Sequence, residues 1–264
     1  CPDPELLAQY EMTASCSELV EAALAEAPVS EEHAALQAAV KADYDAYLAS
    51  GSTTRFDSAN WYALQTWNGG DKLANLDLVK NLAELSYPDY QWLKSKGMGF
   101  LDTLKQGAGS LYPRTHTATK ILGTGFISTY TDDLATKGDL CAMLMNTTGK
   151  SLIMEDNRVV GLQAEDSNGN TYTLYANNAV ILATGGFAGN VEMRQKYNTS
   201  GKWPSLDESV LTTNVAGITG DGIEMALQVG ANLVDMDQIQ MMYLGNLKDG
   251  STVGMTNRDA SSDY

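Results

Sequence analysis

A short apolar run that stops at paired glycines is the feature that most constrains the fold of this chain. Ala179-Val180-Ile181-Leu182 leads directly into Ala183-Thr184-Gly185-Gly186-Phe187. Such a run, rich in branched residues and closed by glycine, predicts a buried parallel strand that ends in a tight turn. Glycine there lets a bulky ligand approach the backbone, because no Cβ stands in the way. A turn that serves only the chain itself is the alternative, and Gly185-Gly186 alone does not decide between the two.

A second glycine-containing segment, Thr219-Gly220-Asp221-Gly222, precedes a predicted helix over 222–229 that ends at Gly230. Asp221 has two possible roles at this position. Its carboxylate can cap free N–H groups of the helix, or it can accept a hydrogen bond from a ribityl or ribose hydroxyl of a bound nucleotide.

The other elements form a recognisable order. Residues 1–50 predict helices interrupted at Pro28-Val29-Ser30, with Ser30 as the cap of the second helix. Further helices are predicted from Asn75 to Gly97 and over 125–136, and a strand over 140–145. A β-meander follows, with strands at 150–155, 158–165 and 171–175. This order indicates an α/β fold: the second half of a dinucleotide-binding, Rossmann-like domain with a β-meander crossover, preceded by a helical segment.

Charge and composition exclude several classes of protein. Seventeen basic and 33 acidic residues give a net charge of −16, which opposes binding to nucleic acid and to anionic lipid. No apolar run approaches the length of a membrane-spanning helix. Cys1, Cys16 and Cys141 form no CxxC pair and have no nearby histidine, so we expect neither a zinc or iron–sulfur site nor a disulfide framework.

The usual GxGxxG fingerprint after a strand is missing, since Gly123-Thr124-Gly125 follows no apolar strand. We therefore expect the first βαβ unit of the nucleotide fold to lie upstream of Cys1. The chain has no initiator methionine, which favours an internal piece of a longer protein over a chain that begins with a lipidated Cys1.

Arg114-Thr115-His116 is the densest polar cluster. A guanidinium beside an imidazole suits a carboxylate or the electron-rich end of a reduced flavin, whereas a loop with a histidine at the edge of the core is the plain alternative. Both interpretations stay open. His33, in an acidic, alanine-rich helix, is predicted to be solvated, and Trp61, Trp67 and Trp92 are predicted to be core residues.

Several ordered segments resemble the flavoproteins of the fumarate reductase and succinate dehydrogenase family. The main three are residues 178–193 (NAVILATGGFAGNVEM), 213–222 (TNVAGITGDG) and 230–240 (GANLVDMDQIQ). The helix after Asn75 and the Arg114-Thr115-His116 loop also follow the family pattern, so that the resemblance covers most of residues 60–240. It implies bound FAD and hydride transfer from flavin N5 to an activated carbon–carbon double bond.

The resemblance also implies the site residues. The cofactor-binding set carried over onto this sequence is Gly149, Lys150, Ala183, Thr184, Gly185, Gly186, Asn214, Thr219 and Asp221. Arg114, His116, Met242 and Tyr243 are the expected substrate contacts, and Arg258 is the expected proton-relay arginine. Met242 stands where fumarate reductases have a carboxylate-binding histidine, and a thioether cannot bind a carboxylate. We therefore expect an enoate or enone acceptor other than fumarate.

The resemblance implies three regions: a helical segment over 1–105, the C-terminal half of an FAD-binding domain over 106–240, and the start of a capping domain over 241–264. It further implies a small unsaturated substrate and an electron-donor protein or domain, in a bacterial, anaerobic type of respiration. A flavin dehydrogenase of the 3-ketosteroid dehydrogenase type and a non-catalytic piece or split subunit are the alternatives. The compartment, cell envelope or cytoplasm, is left open.

Overall fold

The chain folds into two units, and most helices of the first unit start at a residue whose side chain caps the helix. The computed structural model describes residues 2–107, 110–121 and 123–241, and the chain divides into the units Cys1–Ala142 and Met143–Tyr264. The elements of the first unit are α1 (Pro4–Leu7), α2 (Ala14–Ala25), α3 (Glu31–Ser50), α4 (Ala59–Gly69), α5 (Leu76–Ser95), β1 (Phe100–Lys105), β2 (Thr115–Ala118), α6 (Thr124–Ala135) and a 3₁₀ turn, Gly138–Leu140. The helical N-terminal segment predicted from sequence is therefore confirmed.

The capping side chains are the Asp3 carboxylate for α1, the Asn75 amide for α5 and hydroxyl groups for α2, α3 and α4. Ser30 Oγ accepts a hydrogen bond from the backbone N–H of His33 at 3.1 Å, which confirms Ser30 as the cap of α3. Ser58 does the same for α4, with Trp61 N as the donor at 3.0 Å. Helix α4 was not predicted from the sequence, although Ser58 marks its start.

The core of this unit lies among α2, α3, α4 and α5. Trp61 and Trp67 are buried there, as predicted, whereas the prediction for Trp92 is wrong because its side chain is 49% exposed. The prediction for His33 is also wrong, since this side chain is fully buried. Its Nδ1 accepts a hydrogen bond from Val29 N at 3.2 Å, and its ring packs edge-on against the ring of Trp67. The polar residues next to His33 in α3 give no indication of these contacts.

A two-stranded antiparallel ribbon of β1 and β2 was not predicted either. The first residues of the chain lie against it: Tyr10 Oη donates to Leu104 O at 2.8 Å, and Gln9 Nε2 donates to Asp102 O at 3.1 Å. These contacts fix β1 to the start of the chain, and β1 pairs with β2, which carries His116.

The second unit contains a three-stranded antiparallel sheet in the order β3 (Thr147–Glu155), β4 (Arg158–Asp166) and β5 (Thr171–Tyr175), followed by α7 (Val191–Tyr197) and α8 (Asp221–Gln228). The predicted β-meander and the helix that ends before Gly230 are confirmed. Leu162 lies opposite Leu152 on one side and Leu174 on the other. Helix α8 packs on β3, and Met225 Cε would lie 3.5 Å from a Cβ at Gly149.

Two predicted strands are wrong in the described part of the chain. Residues 140–145 form the end of the 3₁₀ turn and an irregular segment, and residues 179–183 have no strand partner. Ile181 is 87% exposed. A strand forms only where a neighbouring strand satisfies its backbone hydrogen bonds. Among the described residues, no strand lies beside residues 140–145 or beside residues 179–183. All strand pairs in the described residues are antiparallel. Within the same residues, no helix combines the length and apolarity needed to cross a bilayer.

Candidate functional site

Two chain segments of the second unit, 184–190 and 216–222, run against each other. The backbone N–H of Gly189 donates to Ile218 O at 2.8 Å. One residue further along each segment, Asn190 Nδ2 donates to Thr219 O at 2.9 Å. These two hydrogen bonds bring the predicted Gly185-Gly186 turn and the Thr219-Gly220-Asp221-Gly222 turn into one site.

Close approach explains two of the glycines. A Cβ on Gly222 would overlap the Thr184 side chain, lying 3.0 Å from Thr184 Cβ and in collision with its hydroxyl. A Cβ on Gly220 would lie 3.1 Å from Phe187 Cβ and would collide with Met193, and Gly220 also has a left-handed backbone with φ +84°. Both glycines are therefore required by the protein's own packing.

Gly186 differs from these glycines. No described atom lies within 4 Å of the position of its Cβ, and its φ lies outside the left-handed region. Neither packing nor backbone strain requires glycine at this position. The open space beside Gly186 is thus available to a ligand that approaches the backbone.

The N-terminus of α8 has no side-chain cap among the described residues, because its N-cap is Gly220. Asp221 does not cap the helix: its exposed carboxylate accepts a hydrogen bond from Thr219 Oγ1 at 2.7 Å. The first N–H groups of a helix are free donors at the positive end of the helix dipole. The turn therefore presents donors from the backbone and one carboxylate acceptor side by side.

The other predicted cofactor residues of this unit lie around the same segments. Ala183 directly precedes Thr184 on the exposed loop, and Asn214 lies in an exposed turn where its backbone N–H donates to Thr212 Oγ1 at 3.1 Å. Gly149 lies on β3 under α8. Lys150, next to it, is exposed, and its ammonium lies 3.8 Å from a carboxylate oxygen of Glu165.

Arg114, in the first unit, forms a buried ion pair. Its Nε and Nη2 donate to the two carboxylate oxygens of Asp57 at 2.7 and 2.6 Å, and the side chains are 10% and 1% exposed. The guanidinium also lies over the rings of Tyr62 and Tyr112, 4.7 and 4.9 Å from their centroids. This bidentate, ring-stacked geometry accounts for arginine at this position without any substrate.

His116 is likewise engaged by the protein. Its Nε2 accepts a hydrogen bond from the backbone N–H of Asp3 at 3.2 Å, and its ring stacks on Tyr90 with 3.7 Å between centroids. Burial lowers the pKa of the imidazole, so the neutral form is favoured. The substrate roles of Arg114 and His116 stay predictions, as does the role of Lys150.

Met242, Tyr243 and Arg258 lie outside the described residues, so their roles also stay predictions. Asn190, which joins the two turns, was not among the predicted site residues. The signal was present, because asparagine directly before Val191-Glu192-Met193 is a favourable helix cap, and α7 begins there.

A glycine-lined turn with open space at Gly186, next to a free helix N-terminus and an exposed carboxylate, fits a nucleotide cofactor. The backbone donors suit phosphate oxygens, and Asp221 suits a sugar or ribityl hydroxyl. This site, carried on a unit of mixed helices and antiparallel strands, has the features of a dinucleotide-binding protein.

Comparison with known proteins identifies the nucleotide. Residues 29–259 match the family described as FAD binding domain. The chain is 31% identical over 224 residues to NADH:acrylate oxidoreductase of Vibrio harveyi, and the match covers 80% of this chain and 22% of that protein. It is 35% identical over 199 residues to urocanate reductase of Eggerthella lenta, which covers 68% of this chain and 31% of the relative.

A solved structure supports the same assignment. The open conformation of a flavocytochrome c3 fumarate reductase matches with a TM-score of 0.61 and 31% identity, over 70% of this chain and 32% of that one. The chain therefore belongs to the FAD binding domain family, and its cofactor is FAD. The resemblance to the fumarate reductase flavoproteins and the flavoprotein fold are confirmed. The chain spans between a fifth and a third of the length of these relatives.

Proposed function

We propose that this chain forms part of the FAD site of a reductase that acts on an activated carbon–carbon double bond. The observation that carries the proposal is the joining of the Thr184–Gly186 turn to the Thr219–Asp221 turn at the free N-terminus of α8. The printed names of two relatives support the reaction class, since acrylate and urocanate both contain a double bond conjugated to a carboxylate.

Each residue of the site has a distinct task in this proposal. Gly186 leaves room for the cofactor beside the backbone, because nothing within 4 Å fills the place of its Cβ. The N–H groups at the start of α8 donate to phosphate oxygens. Asp221, held by Thr219 Oγ1, accepts a hydrogen bond from a hydroxyl group of the cofactor. FAD, when bound, supplies the hydride chemistry of the reaction.

The substrate proposed is a conjugated carboxylate or enone other than fumarate. Support comes from the sequence, in which Met242 stands where the resemblance implies a histidine that binds a substrate carboxylate in fumarate reductases. Tyr243 and Arg258 are proposed as a substrate contact and a proton relay on the same basis. Electrons are proposed to reach FAD from a separate donor protein or domain.

The test uses the full-length protein, assayed without oxygen against acrylate, urocanate, a cinnamate, a cyclic enone and fumarate. We expect flavin absorbance bands in the purified protein and reduction of at least one conjugated acceptor, with little activity on fumarate. Rapid reduction of fumarate would contradict the substrate assignment. A protein that shows no flavin bands and gains none when FAD is added would contradict the whole proposal.

The role of Asp221 is tested by a matched pair of variants in the same unit. Asp221→Asn removes an acceptor with full negative charge, and we expect FAD to bind about tenfold more weakly or worse, since hydrogen bonds to charged groups contribute ~1.5–3 kcal/mol. Glu208→Gln removes the same charge from an exposed loop and is expected to leave the Kd for FAD unchanged. Equal Kd values for the two variants would contradict the proposed contact.

A further inference from the structure

The side-chain amide of Asn190 uses both of its ends. Its Oδ1 accepts a hydrogen bond from Met193 N at 3.0 Å, which caps α7, while its Nδ2 donates to Thr219 O at 2.9 Å. The backbone N–H of Asn190 also donates to Phe187 O at 2.9 Å and closes the turn that follows Gly186. One residue is therefore fixed to a helix, to its own turn and to the facing segment.

The Thr219 carbonyl is a specific target for this donor. Thr219 also holds the Asp221 carboxylate through its hydroxyl, at 2.7 Å between Oγ1 and Oδ1. Its place in the chain directly before Gly220 means that any shift of its carbonyl also shifts the N-cap of α8. The contact of Asn190 with Thr219 is thus connected to the proposed carboxylate acceptor through a single residue.

We infer that Asn190 is a positioning residue for FAD: its Nδ2–H holds the Thr219–Asp221 turn in register with the Thr184–Gly186 turn, so that both can contact the cofactor together. This inference rests on the proposed function of the site. The alternative is that Asn190 only caps α7. These two roles require different atoms of the Asn190 amide. Capping needs only the side-chain oxygen, whereas positioning also needs the Nδ2–H donor.

Serine and aspartate separate these roles. Both are good caps and keep an oxygen for Met193 N, but Asn190→Ser removes the Nδ2 donor to Thr219 O and leaves only a hydroxyl one bond shorter, which stands farther from that carbonyl. Asn190→Asp places a carboxylate against the same carbonyl. Asn75→Ser is the matched control, since Asn75 caps α5 by accepting from Asp77 N and Leu78 N and makes no other side-chain bond in the described part of the chain.

The experiment measures two quantities in the full-length protein stripped of FAD: the thermal unfolding midpoint, and the Kd for added FAD from quenching of flavin fluorescence. We expect Asn190→Ser to keep the midpoint of the wild type and to raise the Kd about three- to tenfold, because a binding-competent arrangement that is less populated lowers the apparent affinity. Asn190→Asp should raise the Kd further, and Asn75→Ser should leave it unchanged.

Three results would overturn the inference. A wild-type Kd in Asn190→Ser would reduce Asn190 to a helix cap and leave the proposed FAD site intact. A wild-type protein that takes up no FAD would remove the proposed function, and the role of Asn190 with it. If Asn190→Ser lowers the unfolding midpoint, the circular dichroism band of the bound flavin decides: a changed band supports positioning, and an unchanged band contradicts it.

Discussion

Replacing Gly222 or Gly186 by alanine adds the same methyl group at two positions with opposite surroundings. At Gly222 the new Cβ would lie 3.0 Å from Thr184 Cβ and 3.1 Å from its Cγ2, whereas optimal carbon–carbon contacts are about 3.5–4.0 Å. At Gly186 the new Cβ would meet nothing within 4 Å. The structure therefore predicts that Gly222→Ala lowers the stability of the fold and that Gly186→Ala weakens only the binding of the ligand.

The magnitudes follow from these distances. Crowding of this kind costs roughly 1–3 kcal/mol, partly offset by the ~0.5–1 kcal/mol by which alanine favours a helix over glycine. The net expectation for Gly222→Ala is a loss of about 1–2 kcal/mol in the free energy of unfolding. For Gly186→Ala we expect no loss, and a gain of up to ~1 kcal/mol from the smaller entropy of the unfolded chain.

Urea unfolding without FAD, followed by circular dichroism, measures the first effect, and an FAD titration measures the second. Gly186→Ala is expected to weaken FAD binding at least about tenfold while the urea midpoint stays the same or rises. Gly69→Ala, at an open position in α4, is the control and should change the Kd for FAD in neither direction. A wild-type urea midpoint for Gly222→Ala, or a wild-type Kd for Gly186→Ala, would refute the reasoning.

Three further predictions concern charged and titratable groups. Asp57→Asn leaves the buried Arg114 guanidinium without its partner and should reduce the free energy of unfolding by about 3–5 kcal/mol in urea titrations; a loss under about 1 kcal/mol would contradict a buried pair. Burial lowers the pKa of His116 below 6.5, so the unfolded state binds the proton first and the free energy of unfolding should fall as the pH falls below 6.5. His116→Gln should flatten this pH dependence, and an unchanged slope would contradict a role for His116 in it. Hydrogen bonds from Asn170, together with those from Asn168 and Tyr172, lower the pKa of Asp166 to about 2. The contribution of Asp166 to stability is therefore present above pH 3.8 and is lost as the pH falls through about 2. The difference in unfolding midpoint between wild type and Asp166→Asn should disappear over that range, and a constant difference would exclude this role.

Local signals were sufficient for part of the fold. The β-meander was predicted because its turns are marked in the sequence: Asp156 and Asn157 have φ values of +47° and +61°, as a two-residue hairpin turn requires. Helix α8 was predicted because its apolar residues recur at helical spacing and Gly230 ends it. Both elements depend on contacts between residues that are close in the chain.

Contacts between distant residues account for the errors. His33 is buried because Trp67 lies against it, and nothing in the residues around His33 indicates this. The run 179–183 has the composition of a strand, but a strand also needs a hydrogen-bonded neighbour, and composition does not supply one. In the site, Gly185 and Gly186 were predicted to serve a ligand, and the structure leaves open space beside Gly186. No role was predicted for Gly220 and Gly222, which the structure shows to be required by packing between distant residues.

The bond from Gly189 N to Ile218 O has a consequence for how such proteins diversify. Residues 191–217 lie between the two hydrogen-bonded residues, so this bond holds the two ends of the segment next to each other. Inside this segment Arg194 donates to Val210 O at 2.8 Å, which closes residues 195–209 into a lobe that is also held by a hydrogen bond from Trp203 Nε1 to Ile239 O at 2.8 Å. Lengthening a closed lobe costs little, about 0.6 kcal/mol for each doubling. Insertions in this lobe can therefore accumulate, and bring new surface to the protein, without displacing the turns that flank them.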